Sequence, residues 1–194
     1  MSDVVNETVI SEELRSAILK CALEVCRAEG YPNVSMAAIA ARAGVTEELL
    51  ATRWPSRSAL LIDAFRREIG AEFLLADSGD FHADLRSQLT AVAKVFTDPS
   101  ISPHLTALIA EMQHDPEVSG TFGERVFGPN RFMARARFES ARKSGQIRDD
   151  IDIDTAIDLT FAPLWFRLLL PTGPITPDYA AEVADLSVAA LGRS

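Results

Sequence analysis

The chain is 194 residues long, 47% hydrophobic and 24% charged, with a formal net charge of −9. That length supports a well-buried core in one or two domains, and the composition is ordinary for a globular protein. The negative balance argues against attraction to nucleic acid over the whole surface and leaves room only for a local basic face. No apolar run approaches a membrane span, and Met1 to Ile10 lack the basic-then-apolar order of a secretory leader, so a cytoplasmic protein is expected.

Ser11 to Glu29 reads as an amphipathic helix, with Leu14, Ile18, Cys21 and Val25 sharing one face. Gly30 caps it and Pro32 enforces the stop. Cys21 and Cys26 are five positions apart on this helix. Their Cα atoms would be roughly 8–9 Å apart, too far for a disulfide. With no clustered histidines they read as small apolar core residues, and no metal is expected.

The stretch SMAAIAARAGVTEELLATRWPSR, Ser35 to Arg57, reads as helix, tight turn, helix, stop. Ser35 caps a short helix of small residues ending at Ala43, Gly44 gives the turn its backbone freedom, and Val45 plugs the angle. Thr46 caps the next helix, whose first turn carries Glu47 and Glu48, and Pro55 ends it. A pair of helices joined this way suits a helix-turn-helix that reads the major groove, and it also occurs as plain scaffold.

Ser56 then caps a long helix expected to reach about Leu75, with Leu61, Phe65, Ile69 and Phe73 on one side. Asp77 to Asp80 is a polar break. Helices follow over Asp84 to Thr97 and through Leu105, Leu108, Ile109 and Met112. A further one runs from Pro116 to about Ser144, with an interruption expected at Gly128-Pro129. Asp152 or Asp154 caps a helix reaching Leu170, in which FAPLWFRLLL is apolar nearly all round. Thr176-Pro177 starts the last helix. The chain is all-α, with about nine helices and no strand pattern.

The run AARAGVTEELLATRWPSRSALL resembles the signature of the tetracycline-repressor-like (TetR) family of bacterial transcription regulators. Ile39, Ala40, Ala43, Gly44, Val45, Leu50, Trp54, Pro55, Ser56, Arg57 and Leu60 carry the likeness, which extends back through Gly30 and Tyr31. The resemblance implies a DNA-binding head over residues 11–56, an effector and dimerisation domain over 57–194, and a homodimer. It also implies that the fourth helix carries the signal between the two domains.

Arg42, Arg53 and Arg57 flank the motif where a duplex backbone would pass, and guanidinium groups suit phosphate. Arg57 stands where the family usually has a phosphate-contacting lysine. Ser35, Met36 and Thr46 join them as candidate DNA contacts, as do Glu47, Glu48, Ala51 and Thr52 of the second helix. That helix departs from the family, lacking its lysine, glycine and tyrosine, and acidic groups near phosphate cost affinity. Up to Leu60 the chain has six basic and eight acidic residues, a net −2.

The family's effector site lies among the middle helices. Phe96, Leu105, Met112, Phe122, Phe161 and Trp165 are its candidate apolar lining, and His104, Arg125, Arg131 and Asp158 its candidate polar contacts. The apolar bias favours a hydrophobic or aromatic effector. Leu164, Leu168, Val183, Leu186, Ser187 and Ala190 of the last two helices are the expected dimer contacts. The reading is a DNA-binding regulator, a repressor released from a palindromic operator by a small effector. The alternative is a ligand-binding or interaction module with a weakened DNA-binding head. No nucleophile–base pair, phosphate loop or metal-ligand cluster suggests an enzyme or a cofactor.

Overall fold

The computed structural model describes residues 10–192; the leader reading of residues 1–9 lies outside them. Ten α-helices run through the described residues: α1 (Glu12–Glu29), α2 (Met36–Ala43), α3 (Glu47–Ala51), α4 (Arg57–Ile69), α5 (Phe81–Thr97), α6 (Ser102–Met112), α7 (Pro116–Phe122), α8 (Gly128–Lys143), α9 (Ile153–Leu169) and α10 (Pro177–Leu191). No strand occurs among the described residues, and no helix there is long and apolar enough to cross a membrane.

The expected caps operate in the head. Ser35 Oγ accepts from the Ala38 N–H at 3.1 Å and Thr46 Oγ1 from that of Leu49 at 3.3 Å. Between them Gly44 sits at φ 68°, and its would-be Cβ meets nothing within 4 Å, so conformation rather than crowding demands glycine there. Ser56 caps α4 through the Ala59 N–H.

Two boundaries differ from expectation, and the interruption expected at Gly128-Pro129 falls just ahead of it. The fourth helix stops at Ile69 and gives way to a 3-10 turn over Gly70–Phe73 instead of reaching Leu75. Ile69 has already left helical geometry at φ −116° and ψ 2°, and Gly70 is a poor helix former. The fifth helix begins at Phe81, because Asp80 caps it through the Ala83 N–H at 3.0 Å. The expected seventh helix is divided: a π-helical turn, Gly123–Phe127, joins α7 to α8. Its closing bond runs from the Gly128 N–H to Gly123 O, five residues back. Pro129 has no N–H to donate, and the chain departs from α geometry just ahead of it.

Two apolar clusters hold the molecule. One gathers Ile18, Leu19, Ile39, Leu50 and Trp54 with Leu60, Leu61 and Phe65 of α4, and takes in Leu108, Val118 and Phe122 from the later helices. The other joins α5, α6, α8, α9 and α10 around Phe81, Leu85, Leu89, Phe138, Ile157, Leu164 and Ala184. The head core thus continues past residue 56 along α4, and Met112 packs against both clusters.

Candidate functional site

On the outer side of the helix-turn-helix, Ser35, Thr46, Glu47, Glu48, Ala51, Thr52 and Arg53 are all exposed, and Met36 is half-buried. Leu50 and Trp54 anchor α3 from beneath with no exposure at all. The Trp54 N–H donates to Leu50 O at 2.9 Å and closes the helix end. The Glu48 carboxyl is held below the usual carboxylate range by its own backbone N–H at the helix start, then by the Thr46 hydroxyl, so it stays ionised. The backbone N–H of Arg53 donates to Leu50 O at 3.1 Å, while its exposed side chain has no hydrogen bond or ion pair among the described residues, which leaves its guanidinium to solvent.

The other two arginines are engaged. Arg42 donates through Nε and Nη2 to Glu24 Oε2 at 3.0 and 2.7 Å. That pair is exposed and weak enough to exchange for a phosphate. Arg57 turns inward instead. Its Nη1 donates to the carbonyls of Tyr31, Pro32 and Val34, and its Nη2 to Glu111 Oε2 at 3.1 Å. Glu111 also accepts from Ser58 Oγ at 2.7 Å. The posture makes Arg57 a clasp between head and α6 rather than the phosphate contact expected of it, because three carbonyls and a carboxylate outbid solvent for its donors.

A cavity of about 720 Å³ lies between α4, α5, the π turn, α8 and α9. Leu105, Phe122, Arg131, Asp158, Phe161 and Trp165, all expected, line it with Phe65, Phe73, Val126 and Phe127. Its exposed members, among them Arg66, Phe166, Leu169 and Leu170, form the rim. Trp165 meets Phe96 edge-on at 4.6 Å between centroids. Four expected residues are elsewhere. Phe96 stands behind Trp165, Met112 fills the seam between the clusters, and buried His104 is held neutral by desolvation and then by Arg27. Arg125 points away from the cavity to Asp63 at 3.1 Å. Arg131 lines the wall but is tied to Asp158 at 2.6 Å and Asp154 at 3.2 Å.

The outer face of α9 and α10 carries Leu159 (50% exposed), Phe166 (53%), Leu169 (46%), Leu170 (51%) and Leu186 (64%). Ala190 is exposed on the same helix as Leu186, and Leu168 is half-buried. Leu164, Val183 and Ser187 turn the other way, into the core of their own chain, with Ser187 Oγ donating to Val183 O at 2.7 Å. Both helices have two apolar stripes, and those three residues occupy the inner one. The segment read as buried all round is therefore open to solvent along one side.

This arrangement of a helix-turn-helix, a helical body and an apolar cavity agrees with the comparisons. The model described as bacterial regulatory proteins, tetR family, matches residues 18–64, and the tetracyclin repressor-like C-terminal domain matches residues 75–187. The chain belongs to the TetR family of transcriptional regulators. It is 26% identical over 172 residues to the uncharacterised HTH-type transcriptional regulator YdeS of Bacillus subtilis, covering 89% of this chain and 86% of that one. The crystal structure of the TetR-family regulator SCO0332 superposes with a TM-score of 0.82 at 28% identity, over 94% of this chain and all of that one, the covered share being 100%. FadR of Bacillus subtilis, solved in complex with stearoyl-CoA, shares the fold at a TM-score of 0.70 and 16% identity, over 91% and 98% of the chains.

Within this TetR regulator, three residues that sequence reasoning missed stand out. Arg66 and Phe127 belong to the cavity. Asp63, 7% exposed, accepts the Trp54 indole N–H at 2.9 Å. The apolar register of α4 gave no warning of Asp63, although a lone acid among Leu60, Leu61, Ile62 and Ala64 was a sign that it had a partner.

Proposed function

We propose that this DNA-binding regulator is a repressor, working in the cytoplasm as a homodimer and released from a palindromic operator by a hydrophobic or aromatic effector. The observation that carries the effector reading is the cavity: about 720 Å³, walled by Phe65, Phe73, Phe122, Phe127, Phe161 and Trp165. That is the size and character of a small-molecule site, and Arg66 on its rim offers a cation to a polar or anionic end. FadR, which shares the fold, is solved in complex with stearoyl-CoA, and that supports an apolar ligand for this chain. The exposed apolar face of α9 and α10 supports a symmetric dimer, which would bury Leu159, Phe166 and Leu186. Two heads would then meet half-sites about one helical turn apart, and a filled cavity would favour a spacing that no longer fits.

The test begins with selection of bound fragments from genomic DNA. Enriched fragments should share an inverted repeat, bound with an affinity that falls as salt rises. Palmitate, stearoyl-CoA and aromatic acids are then added singly in fluorescence anisotropy, and one class should release the DNA. Selection that enriches no repeat would overturn the operator reading. Release by polar ligands alone would overturn the effector class.

A further inference from the structure

We propose that Asp63 is a positioning residue for the DNA-reading helix, and that Arg125 makes its grip depend on the state of the cavity. The inference rests on the cavity being the effector site.

The geometry is a short chain of contacts. The π turn presents Val126 and Phe127 to the cavity, while the residue before them, Arg125, reaches Asp63 Oδ1 at 3.1 Å. Asp63 Oδ2 accepts the Trp54 indole N–H at 2.9 Å, and Trp54 closes the end of α3. Arg125, Asp63 and Trp54 thus connect a cavity wall to the recognition helix.

The contacts have an alternative arrangement built in. A carboxylate buried as deeply as Asp63 must keep a cationic partner. Arg125 is the near one, and Arg15 of α1 stands 3.9 Å from Oδ2. Arg15 holds Glu12 through Nη1 at 3.1 Å, but its Nε is buried without any hydrogen-bond partner, so the residue facing the same acid keeps an unused donor. Withdrawing Arg125 leaves Asp63 to turn toward Arg15, and the oxygen it would turn is the one that holds Trp54.

The π turn is suited to make that withdrawal. It carries one residue more per turn than an α-helix, so a change of register rotates Arg125 relative to Val126 and Phe127. Gly128 sits close on its end, where an added Cβ would lie 3.1 Å from Gly123 O. A ligand pressing on Phe127, which touches both Phe122 and Trp165, acts on the same turn.

The test needs neither effector nor operator for its first arm. The chain has two tryptophans, so a spectrum of the indole N–H groups in the full-length protein shows two signals, and Trp165→Phe assigns that of Trp54. Phe127→Leu, in the cavity wall, and Gly128→Ala, at the end of the π turn, should each shift the Trp54 signal. In an Arg125→Ala background the same changes should leave it where Arg125→Ala alone puts it, and Arg125→Lys should restore the response. In the second arm, on selected DNA, Arg125→Ala should lower affinity about tenfold, a typical coupling between sites, with Arg125→Lys nearer the parent. A Trp54 signal indifferent to both changes, or equally responsive without Arg125, overturns the proposal. Failure to select any DNA would count against the proposed function and leave the first arm intact.

Discussion

Arg137→Met tests how the effector body is held together. Arg137 of α8 is 3% exposed and donates from Nε and Nη2 to Asp84 Oδ2 of α5 at 3.0 and 2.8 Å. Its Nε also donates to Ala76 O, and its guanidinium lies over the Phe81 ring at 5.0 Å from the centroid. Methionine keeps much of the aliphatic packing and removes the charge, leaving Asp84 buried with only Ser78 for company. Stranding one partner of a buried pair costs about 3–5 kcal/mol. At roughly 2–4 °C per kcal/mol for a chain of this size, the melting temperature should fall by about 6–20 °C. Replacing both partners, Asp84→Leu with Arg137→Met, should recover most of that loss, since the stranded charge goes with it. The assay is urea unfolding followed by circular dichroism, on parent, both single variants and the double. A loss below about 1 kcal/mol for Arg137→Met, or a double variant as unstable as the sum of the singles, refutes the reasoning. The pH dependence has a definite sign. Burial pushes the Asp84 carboxyl up, but hydrogen bonds from Ser78 and Arg137 more than offset it, and the net shift is downward. Such a group contributes stability that is fully present above its unfolded value near 3.9 and is lost as pH falls through the lower folded value. The parent should therefore lose this contribution only from about pH 4 downward.

Arg53→Ala should weaken DNA binding and reduce the slope of log affinity against log salt by about one, read by anisotropy at several salt concentrations. Neutralising the acids above it, Glu47→Gln with Glu48→Gln, should strengthen binding to unrelated DNA, because two charges repelling the phosphates are gone. Leu186→Arg on the outer face of α10, 64% exposed in the single chain, should convert the proposed dimer to monomer in light scattering with little change in helix content. The Cys26 thiol is pushed up to about 11 by burial, so a thiol reagent at neutral pH should modify half-buried Cys21 well before Cys26.

The head was legible because its information is local. Ser35, Gly44, Thr46 and Ser56 each dictate a cap or a turn within three or four residues of themselves, and all four act as read. Arg57 was not legible. Its inward turn depends on carbonyls 23 to 26 positions away and on Glu111, 54 positions on. Cavity and core were indistinguishable for the same kind of reason. Phe96 and Trp165 have the same helical spacing, yet one packs behind the other and only the second reaches the opening. Val183, Ser187 and Leu186 show the limit of periodicity. It finds the apolar stripes of a helix but not which stripe faces its own chain. The π turn hides in a sequence, GERVF, that an α-helix would accept; only Gly128-Pro129 after it marks the place.

Phe166, Leu169 and Leu170 are at once rim of the cavity and part of the exposed apolar face of α9. In the proposed dimer the same three side chains must answer to two equilibria. Subunit association covers surface that an entering ligand would otherwise touch, so occupancy and assembly become linked through mass action. The dose of effector needed for release then varies with how much regulator is present. A cell that changes its stock of this protein would thereby also retune its sensitivity to the signal.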